Sequence, residues 1–205
     1  MIDASGHIRH HQFGEGGYEQ SGKIIQQLLI ELGSKDIVRR NVEVNASGIE
    51  VAADWNNLNS AENYLGYERT ENFATSDLVH NKQHVYTAFR PLNINQWVLS
   101  GNWTAKEHSI ILNSPGGRIV YRFYARDLHL VMGPAVPGTS IRIRVLMNGK
   151  IPGDAHGIDI DEHGNGKIID QRLYQLIRQT KPITPSEFQI EFFDPGVEAF
   201  SFTFG

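Results

Sequence analysis

The spacing of apolar residues changes period once along the chain. Ile24, Ile25, Leu28, Leu29 and Leu32 recur at i, i+1, i+4, i+5 and i+8. That is the stripe of an amphipathic helix packed on a sheet. Ahead of it lie a turn at Asp3-Ala4-Ser5-Gly6, an extended run Ile8–Phe13 and a loop Gly14-Glu15-Gly16-Gly17. After Gly33 comes a polar link, Ser34-Lys35-Asp36, then an extended Ile37–Val44, and the helical period disappears.

From there on the chain reads in short β-rich runs. These are Val85–Phe89, Gln96–Leu99, Ser109–Leu112, Arg118–Tyr124, Leu128–Met132, Ser140–Met147, Lys167–Ile169, Leu173–Arg178, Glu187–Phe193 and Ala199–Phe204. Ile141/Ile143/Val145, Phe188/Ile190/Phe192 and Phe200/Phe202/Phe204 each put apolar side chains on one face. Pro115-Gly116-Gly117, Pro137-Gly138, Asn148-Gly149, Gly164-Asn165-Gly166 and Asp194-Pro195-Gly196 supply the turns between them. Such runs without intervening helices predict a mainly β fold: an antiparallel β-sandwich of jelly-roll type, preceded by a short β-hairpin and one α-helix. Asn59–Thr70 is less regular and reads as a short helix or a long loop across one end.

Composition narrows the function. At 205 residues the chain suits one or two domains, and 40% hydrophobic with 20% charged residues is ordinary for a globular protein. A net charge of −4 argues against a nucleic-acid partner. Arg142 and Arg144 alternate with Ile141, Ile143 and Val145, as the solvated face of a strand would. No apolar run reaches the roughly 18 residues of a membrane helix, and Met1-Ile2-Asp3-Ala4-Ser5-Gly6 lacks the apolar core of a signal peptide. There is no cysteine.

Candidate chemistry concentrates in Asn63–Ala74. A sugar site needs flat rings to stack on pyranose faces and planar polar groups for the hydroxyls. Tyr64, Tyr67, Arg69 and Asn72 offer both in one loop, with Glu68, Glu71 and Phe73 beside them. The Gly101-Asn102-Trp103 turn adds a ring next to an amide. The competing reading makes the rings packing residues and pairs Arg69 with Glu68 or Glu71. Asp159-x-Asp161-x-x-Gly164-x-Gly166 partly resembles a cation loop but lacks the third ligand and closing Glu, so a hairpin turn accounts for it better. His7, His10 and His11 cannot converge on one face of a strand. His80 and His84 lack the Glu of a zinc-protease helix. No spacing selects a pair of carboxylates for hydrolysis, and Gly-x-Ser-x-Gly is absent. Nothing in the pattern asks for a cofactor or a metal.

Several stretches together resemble one family. They are Asn63–Ala74, Trp97–Trp103, Phe123–Met132, Gly157–Asp161, Arg172–Arg178 and Phe202–Gly205. The pattern is similar to the C-terminal region of DipZ-type and related thioredoxin-fused thiol–disulfide proteins. In them a thioredoxin-like domain precedes a β-sandwich similar to carbohydrate-binding modules. The resemblance implies that residues 1–33 are the tail of a thioredoxin-like domain and 34–205 the sandwich. It implies an extracytoplasmic setting and a longer parent protein. The family's redox half carries Cys-x-x-Cys, and this chain departs from that pattern, so it cannot itself attack a disulfide. The expected role is a non-catalytic module binding glycan or another extracytoplasmic polymer through Tyr64, Tyr67, Arg69, Asn72 and Trp103, next to a thioredoxin-like redox segment. The alternative is a protein-interaction domain that recognises substrates of the redox partner. The stripe Ile24, Ile25, Leu28 and Leu29 is expected to be covered by the sandwich or by a second copy in a homodimer.

Overall fold

The computed structural model describes residues 1–11, 18–34, 37, 48, 51–75, 78–88 and 91–205. The chain divides into two compact units, Met1–Ala53 and Asp54–Gly205. The expected extended run Ile37–Val44 lies outside the described residues, apart from Ile37.

In the first unit, helix α1 runs Tyr18–Glu31. Ile2 and Ile8 form one antiparallel bridge across the Asp3–Gly6 turn. Asp3 ties that turn by accepting from the backbone N–H of Ser5 and of His7, both at 2.9 Å. Arg9 reaches Glu31 at 2.6 and 3.0 Å and also meets Asp3 at 3.2 Å. The helical stripe is present, yet no residue of α1 is fully buried. Ile25 is 48% and Leu29 39% exposed, while Ile24 and Leu28 are half-buried.

The second unit is mainly β and sandwich-like, a curled antiparallel sheet of eleven strands. They are β1 Asn63–Tyr64, β2 Gln83–Tyr86, β3 Trp97–Ala105, β4 Ile110–Leu112, β5 Gly117–Phe123, β6 Asp127–Pro134, β7 Ile141–Met147, β8 Asn165–Ile168, β9 Arg172–Arg178, β10 Ser186–Phe192 and β11 Val197–Phe204. Their order is β8-β7-β10-β5-β3-β4-β11-β6-β9, with β1 on β11 and β2 on β3. Alternation survives where one face meets water. In β7, Ile141, Ile143 and Val145 are buried while Arg142 and Arg144 are exposed, with Arg142 gripping Asp194 at 2.8 and 2.9 Å.

Long β3 joins the two layers. Its first half, Trp97–Ser100, pairs with β5; its second half, from Gly101, pairs with β2 and β4. Gly101 forms the corner, at φ +97, and a Cβ there would lie 2.9 Å from the Gly117 Cα. Gly101-Asn102-Trp103 is therefore not the turn expected from sequence but a bend inside a continuous strand. Trp97, Leu99 and Trp103 join the main core with Tyr121, Phe188 and Phe202. Val98 and Val120 face the other way and are covered by Leu92, with Ala74 and Ala88 against them. Both faces of β3 are thus buried at this point, which is why Gln96–Leu99 shows no alternation in the sequence.

Candidate functional site

Residues 63–73 form an irregular ledge at one end of the sandwich. No helix forms there. Asn63 and Tyr64 pair with Phe202 and Ser201 as β1, and the Leu65 amide donates to the Phe200 carbonyl at 2.8 Å. Leu65 is fully buried and anchors the ledge. Next comes Gly66, where a Cβ would lie 2.4 Å from the His108 Cα. This close approach brings the ledge against the turn between β3 and β4. Tyr67 N–H donates to the Lys106 carbonyl at 3.0 Å, and Glu68 N–H to the Glu107 carbonyl at 3.1 Å.

Beyond the turn, the Asn63 amide is oriented with its nitrogen donating to the Glu71 carbonyl at 3.0 Å. Its oxygen accepts from the Trp97 indole N–H at 3.2 Å, so both ends are satisfied. Asn72 adopts φ 58, a left-handed conformation that Asn tolerates, and its carbonyl accepts from Trp97 N–H at 3.2 Å. Phe73 packs on Trp97 with ring centroids 4.7 Å apart. The ledge is held from both sides by backbone and core contacts, which leaves the side chains of Tyr64 and Arg69 for other use.

The Arg69 guanidinium lies over the Tyr64 ring, 3.6 Å from its centroid. A concavity of about 250 Å³ opens on one side, lined by Tyr64, Gly66, Arg69, Glu107, His108 and Phe200. A second, of about 420 Å³, is lined by Ala61, Glu62, Asn63, Tyr64, Arg69 and Glu71. The stacked pair stands between them. Neither Glu68 nor Glu71 pairs with Arg69, contrary to the packing alternative. Glu68 and Glu107 flank His108, whose Nδ1 is 3.1 Å from Glu68 and whose Nε2 is 3.6 Å from Glu107. Glu68, Glu107 and His108 bring one ligand atom each within 4.8 Å of the others, a donor set suited to a divalent ion. All three side chains are exposed, where carboxylates are most often simply hydrated.

The other expected residues separate. Tyr67 turns away from Tyr64 and stacks on His80, centroids 3.9 Å apart and planes within 11°, its hydroxyl accepting from the Asn81 amide at 3.1 Å. Asn72 is exposed on the turn that follows. Trp103 is 0% exposed. Its ring packs edge-on to Phe192 and its N–H donates to the Ser100 carbonyl at 2.8 Å. It offers no face to a ligand, because the β3 bend carries it into the core. Asp159 accepts from Arg172 at 2.6 Å and from the Gln175 amide at 2.7 Å. Asp161 caps the backbone N–H of His163 and Asn165, and these bonds hold its carboxyl below the usual range. Asp161 thus closes the turn that the Ile160–Gly166 bridge spans, and Asp159 ties its segment to β9.

Sequence reasoning missed Gly66, Glu107, His108 and Phe200. Lys106-Glu107-His108 reads as an ordinary polar turn, and only the contact of Gly66 with it reveals the shared wall.

A second polar cluster sits on β6 and β9. Asp127, nearly fully buried, accepts from Arg178 at 2.7 and 3.2 Å and from Arg126 at 2.7 and 3.0 Å. His129 lies between Gln175 and Thr203, each at 3.4 Å. Burial pushes the His129 imidazole below its ordinary range. Among the described residues, no hydrogen-bond partner meets the Gln175 Oε1.

Such a sandwich, with an open ledge at one end, matches the family model described as thioredoxin-like C-terminal domain over residues 60–205. The chain belongs to that family. It is also 22% identical, over its whole length, to Protein DipZ of Mycobacterium bovis and to Protein DipZ of Mycobacterium tuberculosis. It spans 26% of the length of those two relatives. Among the described residues, no helix is long and apolar enough to cross a membrane.

Proposed function

We propose that this chain is a non-catalytic accessory module of a DipZ-type thiol–disulfide protein and that it binds glycan through its 63–73 ledge. The observation that carries the reading is the Arg69–Tyr64 stack standing between two concavities. A pinned guanidinium supplies donors, Glu62 and Glu71 supply acceptors, and Phe200 and the Tyr64 ring supply apolar surface. Vicinal hydroxyls on a sugar need that mixture. Tyr67 and Asn72 would extend the surface outward. In this reading residues 1–33 end a thioredoxin-like domain and the remainder forms a sandwich of jelly-roll type. The redox chemistry resides in a Cys-x-x-Cys segment of the parent protein, which works outside the cytoplasm. The module holds that segment near its substrates. The open stripe Ile24, Ile25, Leu28 and Leu29 is the surface for the redox segment or for a second copy, which sedimentation with and without that segment distinguishes.

The test is a broad glycan array probed with the chain and with Tyr64→Ala. Selective binding that the variant loses supports the reading, and a blank array overturns it. One observation favours the alternative of a protein-recognition domain. Among the described residues β2 pairs only with β3, and its Gln83, His84 and Val85 are exposed. An extended peptide could add to such an edge.

A further inference from the structure

We propose that the ledge selects sugars carrying a carboxylate, with Arg69 as the residue that reads the acid. This rests on the glycan-binding reading above and specifies it. Four carboxylates, Glu62, Glu68, Glu71 and Glu107, line the two concavities or stand beside them. Arg69 pairs with none of them. Among the described residues its guanidinium makes no ion pair and no side-chain hydrogen bond; its one recorded partner is the Tyr64 ring at 3.6 Å.

That partner engages only the flat face of the group. The five N–H donors radiate in the guanidinium plane, so stacking leaves them unspent. Stacking also removes much of the rotational freedom that an exposed arginine would otherwise lose on binding. A planar fork held at fixed tilt is the complement of a planar carboxylate, which accepts two parallel N–H bonds. Two other arginines of the sandwich show that mode in use. Arg142 takes Asp194 and Arg178 takes Asp127, each through two nitrogens, whereas Arg118 and Arg172 hold Glu191 and Asp159 through one.

The surroundings decide against a free anion. With Glu62 and Glu71 in the same concavity as Arg69, a small carboxylate gains little net attraction. A sugar acid does better, because its carboxylate meets Arg69 while its hydroxyls donate to those two glutamates. The ligand class is therefore a uronic acid within a glycan, held by one fork and several hydroxyl bonds.

Isothermal titration of the chain with a short oligogalacturonide and with its fully methyl-esterified counterpart tests this, with sodium acetate as the free-anion control. The ester keeps the shape and removes the charge. The acid is expected to bind about tenfold more tightly than the ester, the size of one charge-assisted bidentate contact. Arg69→Gln, an exposed change whose fold is checked by circular dichroism, is expected to weaken both ligands and to abolish the difference between them. Equal binding of acid and ester, or discrimination that survives in Arg69→Gln, overturns the proposal and leaves glycan binding standing. Binding of acetate as tight as the oligosaccharide overturns it in favour of a simple anion site. Failure of both oligosaccharides, with neutral glycans bound on the array, overturns the acid preference alone. Failure with every glycan sinks both readings together.

Discussion

Arginines at two places in the same sandwich are used in opposite ways. On the β6–β9 side, Arg126 and Arg178 converge on Asp127, whose side chain is almost wholly removed from solvent. On the 63–73 ledge, Arg69 lies on Tyr64 and takes no carboxylate, although Glu68 and Glu71 flank it in sequence. The first arrangement neutralises a buried charge and holds two strands in register. The second keeps its donors in reserve and derives its orientation from a ring. The difference teaches that acidic neighbours do not by themselves turn an arginine into a structural group. What matters is whether the carboxylate is buried. A buried one must be paired, whereas exposed glutamates are content in water.

The comparison can be broken or sharpened by substitution. The largest effect is expected at Asp127. Asp127→Asn leaves two part-exposed guanidinium groups facing a neutral amide, at a cost of about 3 kcal/mol. For a domain of this size that lowers the melting midpoint by roughly 8 °C. An unchanged midpoint would mean that the cluster holds nothing together. Gly66→Ala comes next, at about 2 kcal/mol, since the new methyl would have to displace the His108 backbone. Hydrogen exchange should then show the amides of Tyr67 and Glu68 losing protection, while those of β6 and β9 keep theirs. If protection falls equally everywhere, the ledge is not a separate element.

A smaller effect is expected from pH. His129 is buried and holds its proton less tightly folded than unfolded. The unfolded chain therefore takes up more protons as the medium acidifies. The associated stability is complete above the unfolded value of about 6.5 and is lost as pH falls from there through the folded value. His129→Gln should flatten that slope, as followed by chemical denaturation at a series of pH values. The same slope in the variant would assign it to other groups. The smallest effect on stability belongs to Arg69→Gln, within about 0.5 kcal/mol. A larger loss would show that Arg69 is structural after all and would erase the contrast with Arg178.

Much of the fold was legible in the sequence because strands report themselves through turns and alternation. β7, β10 and β11 each lie within two residues of the runs read from their apolar pattern. The helix stripe was equally plain. What escaped was the second half of β3, beyond the run Gln96–Leu99. Gly101 looked like a turn, and the strand's two buried faces left no alternation to follow. Trp103 was misjudged for the same reason, since only the passage of β3 from one layer to the other carries that ring inside. At the ledge, the sequence supplied Tyr64 and Arg69 as neighbours within one loop. It could not supply His108 and Glu107, which lie about forty residues on. The signal that joins them is a Gly whose missing Cβ permits backbone contact, and a single sequence does not say what a Gly touches.

β11 occupies the middle of its layer, between β4 and β6, and also carries β1. It is made last among the strands. During synthesis, β1, β4 and β6 therefore emerge without the strand they close on. At a ribosome rate of about 10 residues per second, β4 and β6 wait several seconds for it. Over that interval their hydrogen-bonding edges are open to other chains. A nascent module of this kind has a vulnerable window that ends only when Val197–Phe204 slots between its neighbours, and chaperone dependence should track that final insertion.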